Sequence, residues 1–309
     1  MWVEEFRPKT FDEFVFQDDV TELHIRKYIK EGIIPHLLFS GPPGTGKTSC
    51  AFLLTTLLNI DSSDILLINA SKENSAETVR DKISGFCSVA PLNSDFKVVI
   101  LEEADFLTGV AQGILRRLME EQYRTVRFIM TCNYVHKIKD AIDSRTQHYV
   151  FNTLPADKIA ERVVGILNAK NIIWDAGDVE RVINRSPTDL RKIIGTLEQF
   201  TVEGQLLLPT HLTAGGDTDA KILSALAADD WNSIRSIVAS DVADNQVVDL
   251  FRLLYNNLAT SPTFDADDMK QEQAIVTIAE YLYRSSTVAD QYINFAALLI
   301  ELKRIQYGK

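Results

Sequence analysis

Eight consecutive residues, Gly41-Pro42-Pro43-Gly44-Thr45-Gly46-Lys47-Thr48, have the spacing G-x-x-x-x-G-K-[ST], with Ser49 directly after them. Glycines at these places let the backbone curl until several N–H groups point at phosphate oxygens. Lys47 brings positive charge to the β and γ phosphates, and Thr48 offers a hydroxyl to Mg²⁺. The chemistry is the binding of a nucleoside triphosphate, and we expect ATP. A second group lies about fifty residues on. Four apolar residues, Val98-Val99-Ile100-Leu101, deliver Glu102 and Glu103 to a strand's carboxyl end, with Asp105 close behind. One carboxylate there suits a magnesium shell and the other the polarisation of an attacking water. A third run, Phe128-Ile129-Met130-Thr131-Cys132-Asn133, ends in an amide able to hydrogen-bond a γ-phosphate or a water.

These groups need a scaffold, and its elements are legible. The apolar stretch His36–Ser40 leads into the glycine-rich loop, and Lys47–Leu58 then has a helical pattern. Ile65–Ile68, Lys97–Leu101, Val126–Thr131 and Gln147–Phe151 read as further strands. Between them Ala76–Cys87, with Val79, Ile83 and Phe86 on one stripe, and Val110–Glu121 read as helices. Continuous apolar strands alternating with helices predict an α/β fold, a parallel sheet covered on both faces. The pattern changes after Leu154-Pro155. Asp157–Lys170, Ala176–Asn184 and Thr188–Phe200 look helical, and Gln205–Pro209 is a short extended candidate. Ala214-Gly215-Gly216-Asp217 reads as a linker. Beyond it, apolar residues recur every three or four positions, interrupted once near Pro262. The expected organisation is a nucleotide-binding domain at 1–154, a small helical lid at 155–214 and an all-helical domain at 215–309.

Composition sets bounds. A length of 309 residues suits about two or three domains of ordinary size. No apolar run approaches the roughly 20 residues that span a bilayer. The acidic start Trp2-Val3-Glu4-Glu5 lacks the apolar core of a signal peptide, and Cys50, Cys87 and Cys132 stand apart with no C-x-x-C spacing. We expect a cytosolic protein with reduced, buried thiols and no membrane partner. The net charge of −11 disfavours a stand-alone duplex binder, because phosphate neutralisation drives that affinity. Basic residues gathered on one face, or a place in a larger assembly, would still permit nucleic-acid contact.

The motifs together resemble the AAA+ ATPases, and among them the small subunits of the replication factor C clamp loader. The carrying residues are Trp2-Val3-Glu4-Glu5-Phe6-Arg7-Pro8-Lys9-Thr10-Phe11-Asp12-Glu13-Phe14, Asn69-Ala70-Ser71, Gln112–Glu121, Thr131-Cys132-Asn133, Ser144-Arg145-Thr146 and Thr188-Asp189-Leu190-Arg191-Lys192. The resemblance is specific over residues 1–200. The chain also resembles the ATPase subunit of T-even-type phage clamp loaders. A phage origin implies a host cytoplasm, a eukaryotic origin a nucleus.

The resemblance implies roles. Val3, Arg7, Pro8 and Val15 would lie against the adenine, and Gly41–Ser49 would hold the phosphates. Glu103 would be the catalytic base, Asn133 the first sensor and Arg191, on the lid, the second. Arg145 would be an arginine finger completing a neighbour's site. Thr48 and Glu102 would hold Mg²⁺. Lys72, Arg80 and Lys82 would face the backbone of primer–template DNA. Val89, Pro91 and Leu92 would dock into the sliding clamp. Gln112, Arg116 and Arg117 would couple DNA or a neighbouring subunit to Glu103. The carboxyl-terminal helices would form a collar joining several copies and other loader subunits, a pentamer in known cases. Two residues depart from the family pattern. Glu102 stands where the family has Asp, one methylene shorter, and Thr146 where it has Cys. The longer Glu102 keeps open a nucleotide-binding scaffold that does not hydrolyse. A different AAA+ motor of the branch-migration kind is a further alternative.

Overall fold

The computed structural model describes residues 1–209, 221–225, 228, 230, 233–234, 236–238, 247–258, 268–285 and 287–307. The linker expected at Ala214–Asp217, the boundary at 215 and the break at Pro262 lie outside them. Contacts divide the chain into two units, Met1–Leu207 and Leu208–Lys309.

The first unit is built on five parallel strands: β1 (Leu37–Ser40), β2 (Ile65–Asn69), β3 (Lys97–Glu102), β4 (Val126–Cys132) and β5 (Gln147–Val150), in the spatial order β2-β3-β4-β1-β5. Alternate residues of one strand enter different cores. Val98 and Ile100 pack with Phe39, Leu53, Leu54 and Ile129 on one face. Val99 and Leu101 pack with Leu38, Leu115, Phe128 and Met130 on the other. Burial on both faces is why the inner strands β1 and β3 read as unbroken apolar runs rather than alternating ones, whereas the edge strand β5 is mostly exposed. Flanking helices are α1 (Trp2–Glu5), α2 (Asp19–Glu31), α3 (Lys47–Leu57), α4 (Ala76–Thr78), α5 (Ser84–Cys87), α6 (Gly109–Glu121) and α7 (Asp140–Asp143). The α/β class and the strand positions expected from sequence are therefore the ones observed.

Differences are local. The single helix expected at Ala76–Cys87 is split, because Val79–Ile83 forms a wider π turn between α4 and α5 that still buries Val79 and Ile83. After the sheet, α8 (Ala156–Ala169), α9 (Ala176–Arg185) and α10 (Leu190–Gln199) bury Ile159, Val163, Val179, Val182, Ile193 and Leu197. The extended candidate at Gln205 has a partner that sequence reading missed. β6 (Thr201–Val202) pairs with β7 (Gln205–Leu206) around Glu203 and Gly204, both at positive φ. Left-handed backbone at both turn positions is the hairpin-forming geometry, and a glutamate at the first of them disguises it.

The second unit has helices at Val247–Leu258, Asp268–Ser285 and Gln291–Tyr307. Their core gathers Ile222, Val238, Leu254, Ala274, Ile278 and Leu298 around Phe251 and Phe295, whose rings meet edge to face at 5.3 Å. Cys50, Cys87 and Cys132 are free and buried. Among the described residues no helix is long and apolar enough to cross a membrane.

Candidate nucleotide site

β1 is buried along its whole length and ends at Ser40, so the loop after it emerges at the carboxyl edge of the sheet. This edge lies where the strand order reverses, with β1 between β4 and β5, the place where open α/β sheets bind ligands. Two glycines have no substitute here. Gly41 has φ 139°, and a Cβ on it would sit 2.0 Å from the Phe151 carbonyl oxygen. Gly44 has φ 77°, and a Cβ on it would sit 1.9 Å from Asp189 Oδ1. The loop then enters α3, whose first residue is Lys47.

Lys47 is buried, and its ammonium donates to the Gly41 and Pro42 carbonyls at 2.7 and 2.6 Å. Burial pushes its pKa down to about 8; the nearby Asp105 and Asp189 carboxylates work against that fall, and Arg191 adds to it. A buried ammonium of weakened basicity gains most from a multiply charged anion. The loop carbonyls use two of its three donors, which leaves one for a phosphate oxygen.

The acids stand where the strand pattern put them. Glu102 ends β3, half-buried, beside Asn69 of β2. Glu103 follows in left-handed backbone, φ 54°, and its N–H donates to Thr131 Oγ1 at 3.3 Å. Thr131 is buried near the end of β4, two residues before Asn133, so the acid and the amide hang from hydrogen-bonded neighbouring strands. Asp105 is buried too. Its Oδ2 accepts the Tyr134 N–H at 3.3 Å, and its Oδ1 has no partner.

One cleft with about 150 Å³ of space joins the loop to Glu103 and Asn133, while Glu102 and Asp105 stand outside its lining. Its lining holds Val3, Arg7, Pro8 and Val15, the stretch Pro43–Ser49, Glu103, Asn133 and Arg191. Gly41 and Pro42 form the base of the same loop and hold Lys47. Arg7 is aimed by an ion pair with Glu4 at 2.7 Å and lies 4.7 Å above the Phe52 ring. Arg191 reaches the cleft from the start of α10, a helix capped by the Asp189 side chain accepting from Lys192 N–H. The Leu190 N–H donates to the Gly44 carbonyl at 3.2 Å, which ties the start of α10 to the loop.

Lining residues to which sequence reading assigns no role are Glu4, Phe6, Phe14, Thr131, Cys132, Leu154, Arg162, Leu190 and Ile194. Arg162 is partly desolvated by burial, which lowers its pKa, and it donates to the Phe6 carbonyl at 2.8 Å. It thus ties α8 to the amino-terminal segment. Glu4, Phe6, Phe14, Thr131, Cys132 and Leu190 stand in the quoted motifs without a role assigned to them, and Asp105, outside the lining, is the last acid of Glu102-Glu103-Ala104-Asp105.

Other residues singled out in the sequence lie elsewhere. Gln147 aligns with Leu37, so Arg145 precedes β5 at the amino edge of the sheet, opposite the glycine-rich loop. It lines a separate groove of about 580 Å³, donates to Glu120 Oε1 at 2.8 Å and to the Ala141 carbonyl at 2.7 Å. Lys72 and Arg80 are exposed, and Lys82 pairs with Glu73. The starts of α4 and α6 are joined by the Thr108 N–H donating to the Asn74 carbonyl at 3.2 Å. Gln112 is buried. Its amide donates to the Leu107 and Lys137 carbonyls and accepts from the Lys139 N–H. Arg117 pairs with Glu121, one turn along α6. Val89 and Leu92 project into solvent at 54% and 67% exposure. Their loop is gripped by the buried Asp64, which accepts the N–H groups of Leu92, Asn93 and Ser94 at 2.8, 2.9 and 2.9 Å.

Residues 37–154 match the model of the ATPase family associated with various cellular activities, AAA. The chain is 31% identical to the replication factor C small subunit of Thermofilum pendens, over 98% of this chain and 96% of the relative. It is 33% identical to that of Sulfurisphaera tokodaii, covering 98% and 94%. It is also 30% identical to replication factor C subunit 2 of Saccharomyces cerevisiae, covering 98% and 93%. In fold it is similar to the Thermotoga maritima RuvB Holliday junction branch migration motor, with a TM-score of 0.55 and 18% identity over 78% of this chain and 85% of the other.

Proposed function

The chain belongs to the replication factor C small-subunit family and is an AAA ATPase, and from that premise we propose that it drives a sliding-clamp loader. The observation that carries the proposal is the convergence of the loop, Glu103, Asn133 and the lid's Arg191 on one cleft. A site closed by a lid can report phosphate occupancy as a change of lid position. The branch-migration reading has only the likeness of fold behind it, at 18% identity.

ATP is held with its base among Val3, Arg7, Pro8 and Val15 and its phosphates on Gly41–Ser49. The Lys47 ammonium and the amino end of α3 stabilise the phosphate charge. Glu103 orients a water for in-line attack on the γ-phosphorus and takes its proton, as the bond to the β-phosphate oxygen breaks. Asn133 positions that water or a γ-oxygen, and Arg191 carries the phosphate's state to the lid. The residues present fit a magnesium ion: Thr48 lines the cleft, and the buried Asp105 has an oxygen without a partner, with Glu102 following from the end of β3. When bound, Mg²⁺ would neutralise developing charge between the β and γ phosphates.

Arg145 lies at the opposite edge of the sheet from its own loop, which suits service to the site of an adjacent subunit. A finger supplied in trans makes hydrolysis depend on assembly and is worth about 10³–10⁵ in rate. The second unit's helices act as the collar that gathers several copies with other loader subunits. ATP binding organises the copies into a spiral that opens the clamp and admits primer–template DNA, and hydrolysis releases the closed clamp. Lys72, Arg80 and Lys82, beside the joined starts of α4 and α6, contact DNA phosphates without reading sequence. Val89, Pro91 and Leu92 enter a pocket on the clamp. Clamp-dependent and DNA-dependent ATP turnover tests the reading. A rate indifferent to both removes the loader assignment.

A further inference from the structure

Ser40, the last residue of β1, and His148 of β5 meet through their side chains, with Ser40 Oγ 2.7 Å from His148 Nε2. The other ring nitrogen, Nδ1, lies 3.3 Å from Asp143 Oδ1, a buried oxygen that makes no hydrogen bond of its own. These three side-chain types in this order are those of a nucleophilic triad. The setting argues against that chemistry, because Ser40 is 4% exposed and lines neither cleft.

What the three residues join is more informative. Ser40 is bonded to Gly41, whose carbonyl accepts from Lys47 Nζ. The Ser40 carbonyl accepts the Phe151 N–H at 2.7 Å. Asp143 ends α7, and its carbonyl accepts the Thr146 N–H and hydroxyl at 3.0 and 2.9 Å. Between those two residues is Arg145, whose guanidinium bonds to the Ala141 carbonyl of the same helix. A carboxylate facing Nδ1 favours a proton on that nitrogen, and Nε2 then accepts from the Ser40 hydroxyl. A continuous polar path thus runs diagonally over β1 and β5, from the base of the phosphate loop to the segment carrying Arg145.

We infer that the Ser40–His148–Asp143 link couples this chain's own phosphate loop to the position of Arg145, so that occupancy of one site sets the finger offered to the next. His148 is a positioning residue that acts through Asp143. The inference rests on the proposed role of Arg145 in a neighbouring site.

A mixed assembly separates the two. Donor chains carry Glu103→Gln with Arg145 intact, so they hold ATP and present a finger. Acceptor chains carry Arg145→Ala with Glu103 intact. ATP is hydrolysed only where a donor finger meets an acceptor site. His148→Ala placed in the donor should lower kcat about fivefold or more and leave KM within about twofold, as expected for misplacement of one catalytic group. The same change in the acceptor should leave both constants unaltered. Ser40→Ala and Asp143→Asn in the donor should reproduce the donor effect. Equal loss in both placements, or no loss in the donor, overturns the inference alone. Absence of turnover in the parent mixture overturns the shared site, and the coupling with it.

Discussion

Asp64 offers the sharpest stability prediction, because its carboxylate is fully buried and accepts three backbone N–H groups of the loop bearing Val89, Pro91 and Leu92. Hydrogen bonds to a charged group are worth about 1.5–3 kcal/mol each, though three on one group do not add fully and water reaches part of the exposed loop. Asp64→Ala should therefore cost about 3–5 kcal/mol, a large effect for one residue. In a unit of this size that is a fall in melting temperature of about 10 °C. Asp64→Asn keeps one acceptor oxygen and should lose roughly half as much. The pH dependence follows from the same bonds. Burial alone raises the carboxyl pKa, and the N–H groups of Leu92, Asn93 and Ser94 outweigh it and bring it below its ordinary value. A lowered folded-state pKa means the carboxylate's contribution is complete above the unfolded pKa of about 3.9 and is lost as pH falls through the folded one. The deficit of Asp64→Asn should stay constant from pH 8 to pH 5 and shrink only below about pH 4. Thermal melts across that range read this directly. Clamp-free ATP turnover should be kept while stimulation by clamp falls. Unchanged melting of Asp64→Ala would refute the reasoning.

Three further outcomes follow from the cleft. Lys47 has its pKa pushed down to about 8 by burial, and phosphate charge will raise it, so ATP binding at pH 8 should take up about half a proton. Calorimetry in buffers of different ionisation enthalpy reads this uptake, which should vanish near pH 6 and in Lys47→Ala. Gly44→Ala sets a Cβ against Asp189 Oδ1 in left-handed backbone, so it should push the lid off the loop. ATP affinity should fall by about 10-fold or more, from roughly 1–3 kcal/mol of strain, measured by nucleotide titration. Asp105→Leu removes the buried carboxylate that faces the Tyr134 N–H and supports the Lys47 charge. It should lower the Lys47 pKa further and weaken ATP binding, seen as a rise in the ATP dissociation constant that grows with pH.

Much of the fold was legible because both faces of the sheet are covered. β3 and β4 read as plain apolar runs, and the residues ending them, Glu102 and Cys132-Asn133, mark the edge where the site forms. The glycine-rich loop was legible because backbone that curls around phosphate requires a fixed pattern. Arg145 and Arg191 have no such local pattern. Their candidacy came from family resemblance, and the fold separates them onto opposite edges of the sheet. Asp64 was invisible because an aspartate after Ser62-Ser63 looks like an ordinary turn residue. Its function depends on residues about thirty positions away. The Ser40–His148–Asp143 link was hidden for the same reason, since it depends on the register that sets Leu38 beside His148. The β6–β7 hairpin was half seen, because Glu203 holds a conformation more usual for glycine or asparagine.

The most direct test of the account is ATP turnover by the assembled loader, with and without clamp and primer–template DNA, beside Glu103→Gln and Arg145→Ala assemblies that still bind ATP. Clamp and DNA together should stimulate the wild-type rate, and each substitution should lower it about 10³-fold or more. Equal rates in all three assemblies, or a wild-type rate that ignores clamp and DNA, would contradict this.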